Sequence, residues 1–387
     1  MNVFLTGATG FVGGELLVTL SKRSEITRIY CFIRSRTKEE ALVRIENIFK
    51  LHNDPYDPEK IVPVIGDLQN EDLTRYLKSN GQLQDTDVII HSAANTSFSR
   101  IYNNLVEDVN IKGLEKILLW ARDLPHLHTF LYIGTATICG KDIHNRVVLE
   151  NESPDLHARH LVRYTYTKMQ GELLLDKYLP PEKILITRPS IIMGDSRPVV
   201  PRSPIILWAV ATINQLRLIP AAEHAMLDMI PVDYASEAIT ALLFAERKHR
   251  VYHITSGKDA ATSAHKLAIS LSTHFKDLPP FQFVDKSLLE QIKRWSKGNL
   301  SHSSDLHRFP LYLNYWNKIF PDPGVLRILL GGLEPYLGFM DLGQAFDNSR
   351  LLQDAVGIKQ SVPADIYINT CMQYIENINT LEGAFDS

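Results

Sequence analysis

Tyr164 and Lys168 stand four residues apart in the run Tyr164-Thr165-Tyr166-Thr167-Lys168. On a helix that spacing puts both side chains on one face. A lysine ammonium beside a phenol lowers the phenol's pKa, and it can hold a nicotinamide ribose at the same time. A phenol tuned this way donates a proton to a carbonyl oxygen while hydride arrives at its carbon. Tyr166 is excluded from that role, because Gln170 and not a cation follows it by four. A third group comes from Thr135 in Tyr132-Ile133-Gly134-Thr135-Ala136, whose hydroxyl at a strand end polarises the same oxygen. Thr135, Tyr164 and Lys168 are therefore the candidate catalytic residues.

Hydride chemistry needs a dinucleotide, and the first turn of the chain is built for one. Thr6-Gly7-Ala8-Thr9-Gly10-Phe11-Val12-Gly13-Gly14 closes a strand-like run and opens a helical one. Gly7 permits a tight turn, Gly10 lets a pyrophosphate approach the backbone, and Gly13 lets the helix pack closely on the strand. The helix N-terminus adds free N–H groups and a positive dipole. The cofactor contacts expected here are Gly7, Thr9, Gly10, Phe11, Val12 and Gly13.

An NAD site places a carboxylate roughly 20 residues further on, on the ribose 2′-hydroxyl. Here Arg34 and Arg36 bracket that position, and guanidinium forks suit a 2′-phosphate. The expected cofactor is NADPH. Asp67 and Leu68, after the third strand, are placed at the adenine. Ser92, Ala93 and Ala94, after the fourth, are small enough for close backbone approach. His91 reads as a strand-end histidine and not as a catalyst. Other templates fail. Gly134–Lys141 has the wrong spacing for a phosphate-binding loop, no H-E-x-x-H is present, and His157 with His160 is too sparse for a metal site.

The elements that must position these groups alternate along the chain. Strand-like runs cover 2–6, 28–33, 61–65, 87–91, 129–133 and 183–187, and helical patterns cover 11–21, 38–51, 71–78, 101–122 and 159–178. Continuous apolar strands separated by helices indicate parallel βαβ units and an α/β, doubly wound sheet. After Thr187 the chain is expected to leave the sheet at Arg188-Pro189-Ser190. It then crosses a proline-rich loop (Pro198, Pro201, Pro204), forms a helix over 205–216, and returns to the sheet at 229–232 and 251–255. Residues 1–256 are thus expected to form the nucleotide-binding domain, with 198–228 contributing to the substrate side. Residues 257–387 are expected to form a smaller, mainly helical substrate domain.

The chain has 387 residues, enough for this arrangement. Its 41 Lys and Arg against 44 Asp and Glu leave a formal charge of −3, which offers no global footprint for nucleic acid. No window approaches the ~18 consecutive apolar residues of a membrane span. Cys31, Cys139 and Cys371 are few, distant and odd in number, which suits a reducing compartment. With no export signal expected at the N-terminus, the expected location is cytoplasmic, as a monomer or homodimer.

Taken together, these residues resemble the extended short-chain dehydrogenase/reductase superfamily over about residues 2–257. Within it the chain resembles the thioester-reductase and fatty acyl-CoA reductase branch, of male-sterility type. That narrower likeness rests on TGATGFVGGELL near the start, on Arg188-Pro189-Ser190-Ile191-Ile192-Met193-Gly194-Asp195-Ser196-Arg197, and on Leu227-Asp228-Met229-Ile230-Pro231-Val232-Asp233-Tyr234. Phe346-Asp347-Asn348-Ser349-Arg350-Leu351 is a further echo. The resemblance implies a Rossmann sheet and NADPH-dependent reduction of an acyl thioester, carried by coenzyme A or a carrier protein, to an aldehyde or onward to the alcohol. It places Pro189, Ser190, Ile191 and Ile192 among the cofactor contacts. Pro198-Val199 departs from the Thr-Gly pair that often follows Gly-Asp-Ser-Arg in thioester reductases. The alternatives are a sugar-nucleotide epimerase/dehydratase or hydroxysteroid-type dehydrogenase, and a non-catalytic NADPH-sensing scaffold. An acyl cleft is expected from the 205–216 helix with Trp208 and from Phe281, Phe283, Trp295, Tyr312, Leu313, Tyr315, Trp316 and Phe320.

Overall fold

The computed structural model describes residues 1–198, 204–298 and 304–386. Its main sheet has seven strands: β1 (Asn2–Thr6), β2 (Arg28–Ile33), β3 (Ile61–Ile65), β4 (Val88–His91), β5 (Thr129–Ile133), β6 (Ile184–Pro189) and β7 (Val251–Ile254). They lie in the order β3-β2-β1-β4-β5-β6-β7, and all neighbours are parallel. Continuous burial of β4 and β5 explains their unbroken apolar sequences.

Helices cover both faces. On one, α1 (Phe11–Ser21) places Leu16 and Leu17 in a core shared with Ile239 and Leu242. On the other, Phe4 meets Trp120 edge-on at 4.8 Å. Both rings are essentially buried, so truncating either to alanine costs about 3–5 kcal/mol. The strand order reverses between β1 and β4, which opens a crevice at their C-terminal ends.

Three local expectations need correction. β6 continues through Arg188 and Pro189 instead of ending at Thr187. β5 has already ended, so the missing N–H of Pro189 faces no partner strand, while Ser190 N donates to Ile254 O at 3.1 Å. Met229–Ile230 does not rejoin the main sheet. It pairs with Ile191–Ile192 in a separate parallel ladder beyond the strand ends. The helical pattern at 101–122 is a rod over 103–121 interrupted by a π-helical turn, Asp108–Gly113. The proline-rich loop falls largely in 199–203, outside the described residues.

Helices α2 (Lys38–Leu51) and α3 (Arg163–Tyr178) belong to the sheet domain. Over the strand ends lie α4 (Pro204–Leu216), α6 (Ala264–His274) and α7 (Pro323–Met340), while α5 (Val232–Phe244) packs below on α1. The C-terminal segment does not stay in this helical layer. Ala345–Phe346 pairs with Val147–Val148, and α8 (Ser349–Asp354) sets Leu351 into the core of the sheet. Two buried carboxylates fasten this return. Asp228 accepts from the backbone N–H groups of Ser256 and Phe346, and Glu150 from those of His253 and Arg350.

Candidate active site

Gly7 closes the β1 turn at φ +71°, a conformation side chains rarely adopt. A Cβ there would lie 2.8 Å from Ala93 N, and one on Gly13 would lie 2.1 Å from Gly7 O. The turn, the start of α1 and the loop after β4 are thus packed backbone to backbone. Helix α1 begins after Gly10 with no side-chain cap and no acidic residue in its first turn. Its first N–H groups are left for an anion, and the residues fit a dinucleotide pyrophosphate.

A cavity of about 900 Å³ opens beside this turn. Of the sequence-derived cofactor residues, Gly7, Thr9, Gly10, Phe11, Val12, Gly13, Arg34, Asp67, Leu68, Ser92, Ala93, Ala94, Tyr164, Lys168, Pro189, Ser190, Ile191 and Ile192 all line it. Arg36 does not. It is exposed, with its backbone N–H on Glu40. Its place beside Arg34 is taken by Arg44 of α2, which the sequence reading missed. The Arg44 guanidinium donates to Arg34 O at 2.6 Å and to Thr9 Oγ1 at 2.5 Å, bridging β2 to the glycine turn.

Thr135, Tyr164 and Lys168 line the same cavity. Thr135 caps the short turn after β5, and its Oγ1 lies 2.9 Å from that of Thr137, a further hydroxyl of the cavity wall. Lys168 Nζ donates to Ile133 O at 2.7 Å and sits 5.9 Å from the centre of the Tyr164 ring. Burial pulls the Lys168 amine down to about 7, with Glu172 opposing. Burial raises the Tyr164 phenol above its ordinary value, the reverse of the lowering expected from its spacing to Lys168. A phenol so placed keeps its proton at neutral pH, as a proton donor must.

Beneath this pair, Glu172 forms a buried ion pair with Arg188 at 2.7 Å. Asn110, within the π turn, was also missed. Its side chain donates to Thr167 Oγ1 and Asn95 O, both at 2.9 Å, and accepts from Asn95 N at 2.7 Å. It ties α3 to the cavity-lining loop after β4, a use of irregular helix common near functional sites. His91 is held near 3 by burial and the Lys168 charge, and its Nδ1 meets Thr6 Oγ1 at 3.1 Å. It stays neutral and structural.

The far half of the cavity is apolar. Ala209, Val210 and Ile213 of α4, Leu267 and Leu271 of α6, Tyr336, Phe339 and Met340 of α7, and Phe98, Met229 and Phe281 form its walls. Phe281 is there as expected, but Trp208, Tyr312, Trp316 and Phe320 are core of the helical layer. Trp316 Nε1 is spent on Leu216 O at 2.9 Å. Phe283, Trp295, Leu313 and Tyr315 pack at that core's margin. Their bulk supports the cleft from behind.

Residues 5–239 match the family described as male sterility protein. The chain belongs to that family. Among the relatives of this male sterility family chain, human fatty acyl-CoA reductase 2 is 27% identical over 362 residues, covering 81% of this chain and 69% of its own length. The chain spans 62–69% of the length of the fatty acyl-CoA reductases it matches. A linear gramicidin synthase of Brevibacillus parabrevis is 31% identical over 254 residues, 62% of this chain and 5% of that protein. The terminal R domain from the myxalamid PKS-NRPS biosynthetic pathway superposes with a TM-score of 0.71 at 22% identity, covering 97% of this chain and 90% of that one. UDP-glucuronic acid 4-epimerase from Bacillus cereus gives 0.63 at 19%, covering 97% and 99%. Both share the male sterility chain's fold. The residues that carried the resemblance beyond the glycine turn are largely clasps. Arg197 pairs with Asp195 at 2.6 Å and Glu15 of α1 at 2.9 Å, while Ser196 N donates to Asp233 of α5 at 3.0 Å.

Proposed function

We propose that this male sterility family protein is an oxidoreductase that uses NADPH to reduce an acyl thioester to an aldehyde. One observation carries the reading: a single cavity joins a dinucleotide cradle, the Tyr164, Lys168 and Thr135 side chains, and an apolar cleft. Arg34 and Arg44 together support NADPH over NADH, because two guanidinium groups border the place where a 2′-phosphate would lie.

A dinucleotide in the cradle supplies the hydride. Tyr164 gives its phenolic proton to the carbonyl oxygen as negative charge develops there, and Thr135 donates a second hydrogen bond to the same oxygen. The hemithioacetal so formed loses its hydroxyl proton as the C–S bond breaks, releasing a thiol and an aldehyde. Lys168, buried and fixed on Ile133 O, positions the ribose and resupplies positive potential to Tyr164. Helices α4, α6 and α7 keep water from the acyl chain. A cytoplasmic location and a coenzyme A or carrier-protein thiol complete the reading. Among the described residues, no helix is long and apolar enough to cross a membrane.

The apolar cleft weighs against a sugar nucleotide, whose hydroxyls would need partners these walls lack. Tyr164 and Lys168 together weigh against a scaffold without chemistry. The test is NADPH oxidation with acyl-CoA against UDP-sugars. Acyl-CoA-dependent oxidation is expected, and turnover of the UDP-sugar alone would select the epimerase alternative.

A further inference from the structure

Thr135 has one hydroxyl proton to give to a substrate oxygen, and the protein offers that proton two other destinations. Thr135 Oγ1 lies 3.4 Å from Pro189 O and 2.9 Å from Thr137 Oγ1, and all three residues line the cavity. The contact to Pro189 is longer than the roughly 2.5–3.0 Å of a good O–H···O bond, so it holds the proton weakly. The contact to Thr137 is short and carries no direction of its own, since either oxygen can be the donor. With Thr135 as donor, the proton is spent within the wall. With Thr137 as donor, the Thr135 proton is held only by the long contact and can turn to the cavity.

Two observations favour Thr137 as the donor. Its hydroxyl has no other hydrogen-bond partner among the described residues, whereas Thr135 also has Pro189 O. Its backbone N–H also faces Thr135 Oγ1, 3.4 Å away, and Thr135 caps the turn by accepting it. A hydroxyl oxygen has two lone pairs and one proton. With the N–H and the O–H of Thr137 on the two lone pairs, only the proton of Thr135 is left to meet a substrate. We propose that Thr137 is a positioning residue whose hydroxyl donates to Thr135 Oγ1 and so turns the Thr135 proton onto the carbonyl oxygen of the thioester. The inference rests on the acyl-thioester reading above and extends it by one residue. Donation from Thr137 also polarises the Thr135 O–H, which strengthens its bond to a developing oxyanion. The effect therefore belongs to the transition state more than to substrate binding.

The experiment measures kcat and KM for NADPH-dependent reduction of one long-chain acyl-CoA, with NADPH affinity measured separately by fluorescence titration. The proteins are the unmodified chain, Thr137→Val, Thr137→Ser, Thr135→Val, and the double variant carrying Thr135→Val and Thr137→Val. Valine exchanges the hydroxyl for a methyl group of similar size, and serine keeps the hydroxyl. Thr137→Val should lower kcat by about tenfold or more, with KM and NADPH affinity within about twofold, and Thr137→Ser should restore kcat to within about threefold. Thr135→Val should fall further, toward the roughly 100- to 1,000-fold loss of an oxyanion donor. Adding Thr137→Val to it should cost no more than about twofold, because without the Thr135 hydroxyl there is no proton to direct. A Thr137→Val loss that persists at full size in the Thr135→Val background overturns the proposal, as does a loss larger than that of Thr135→Val, since Thr137 would then meet the substrate itself. Unchanged kcat in Thr137→Val overturns the positioning role and leaves the reductase reading standing. No acyl-CoA turnover in the unmodified protein overturns both. Should Thr137→Val lose NADPH binding, Thr137→Ala takes its place in the same comparison.

Discussion

Lys168 lies one helical turn beyond Tyr164, yet its ammonium is bonded to the carbonyl oxygen of Ile133, 2.7 Å away, and not to the phenol. The lysine thereby joins α3 to the end of β5, the strand that leads into Thr135. The two proposed oxyanion donors are held in one frame through it. Burial keeps the phenol protonated, so the role we propose for Lys168 is to position and to supply charge.

Tyr164→Phe removes a group that acts mainly in the transition state. kcat should fall by about 100- to 10,000-fold, while NADPH affinity, measured by fluorescence titration, changes little. Equal losses in cofactor affinity and turnover would instead make Tyr164 a binding residue.

Lys168 titrates near 7 in the fold, below the ordinary lysine value, because it is buried. Below that pH the amine is charged in both folded and unfolded chains, and the fold bears the full cost of burying the charge. Between about pH 7 and 10 only the unfolded chain binds the proton, so this contribution to stability improves as pH rises. Lys168→Met should therefore raise the melting temperature of the cofactor-free protein by roughly a few degrees near about pH 6, and by less near about pH 9. A larger gain at the higher pH would contradict this.

Arg34 and Arg44 should divide cofactor preference between them. Either Arg→Ala variant loses a charge-assisted contact of about 1.5–3 kcal/mol, so the NADPH-over-NADH ratio in kcat/KM should fall tenfold or more. Arg36→Ala should leave the ratio within about twofold, because Arg36 is exposed and does not line the cavity. The reverse ranking would return the 2′-phosphate to Arg36.

Acyl length should be read by the cleft. Each added methylene contributes up to ~0.8 kcal/mol until the space is filled. Ala209, on the cavity wall of α4, is a point at which to shorten it. Ala209→Phe should lower kcat/KM for long chains by about tenfold or more and spare short ones. An equal loss at all lengths would mean that Ala209 does not border the chain.

These groups differ in how far the sequence announces them. Tyr164, Lys168 and Thr135 were legible because a helical interval and a strand end place side chains by simple periodicity. Arg44 carried a fainter signal. Ala41, Ile45, Ile48 and Phe49 are the buried positions of α2, and residue 44 lies three past Ala41 and four before Ile48, on the flank of that face. Reading strand-end residues alone selected Arg36. Asn110 had no signal, since a π turn adds a residue to a helix without disturbing the apolar pattern around it. Trp208 and Trp316 show a different limit. Composition reveals aromatic bulk in the helical layer but not which rings face a cleft and which fill the core behind it. The return of Phe346 to Asp228 was invisible as packing, because it joins residues 118 apart.

The central claim is tested most directly by the products of a single reaction. With NADPH and a long-chain acyl-CoA, the account expects one free thiol and one aldehyde for each NADPH consumed. Where a second hydride follows, it expects one thiol and one alcohol for every two. Tyr164→Phe should abolish NADPH consumption, thiol release and reduced product together. NADPH consumption without thiol release, or thiol release that persists without NADPH, would contradict it.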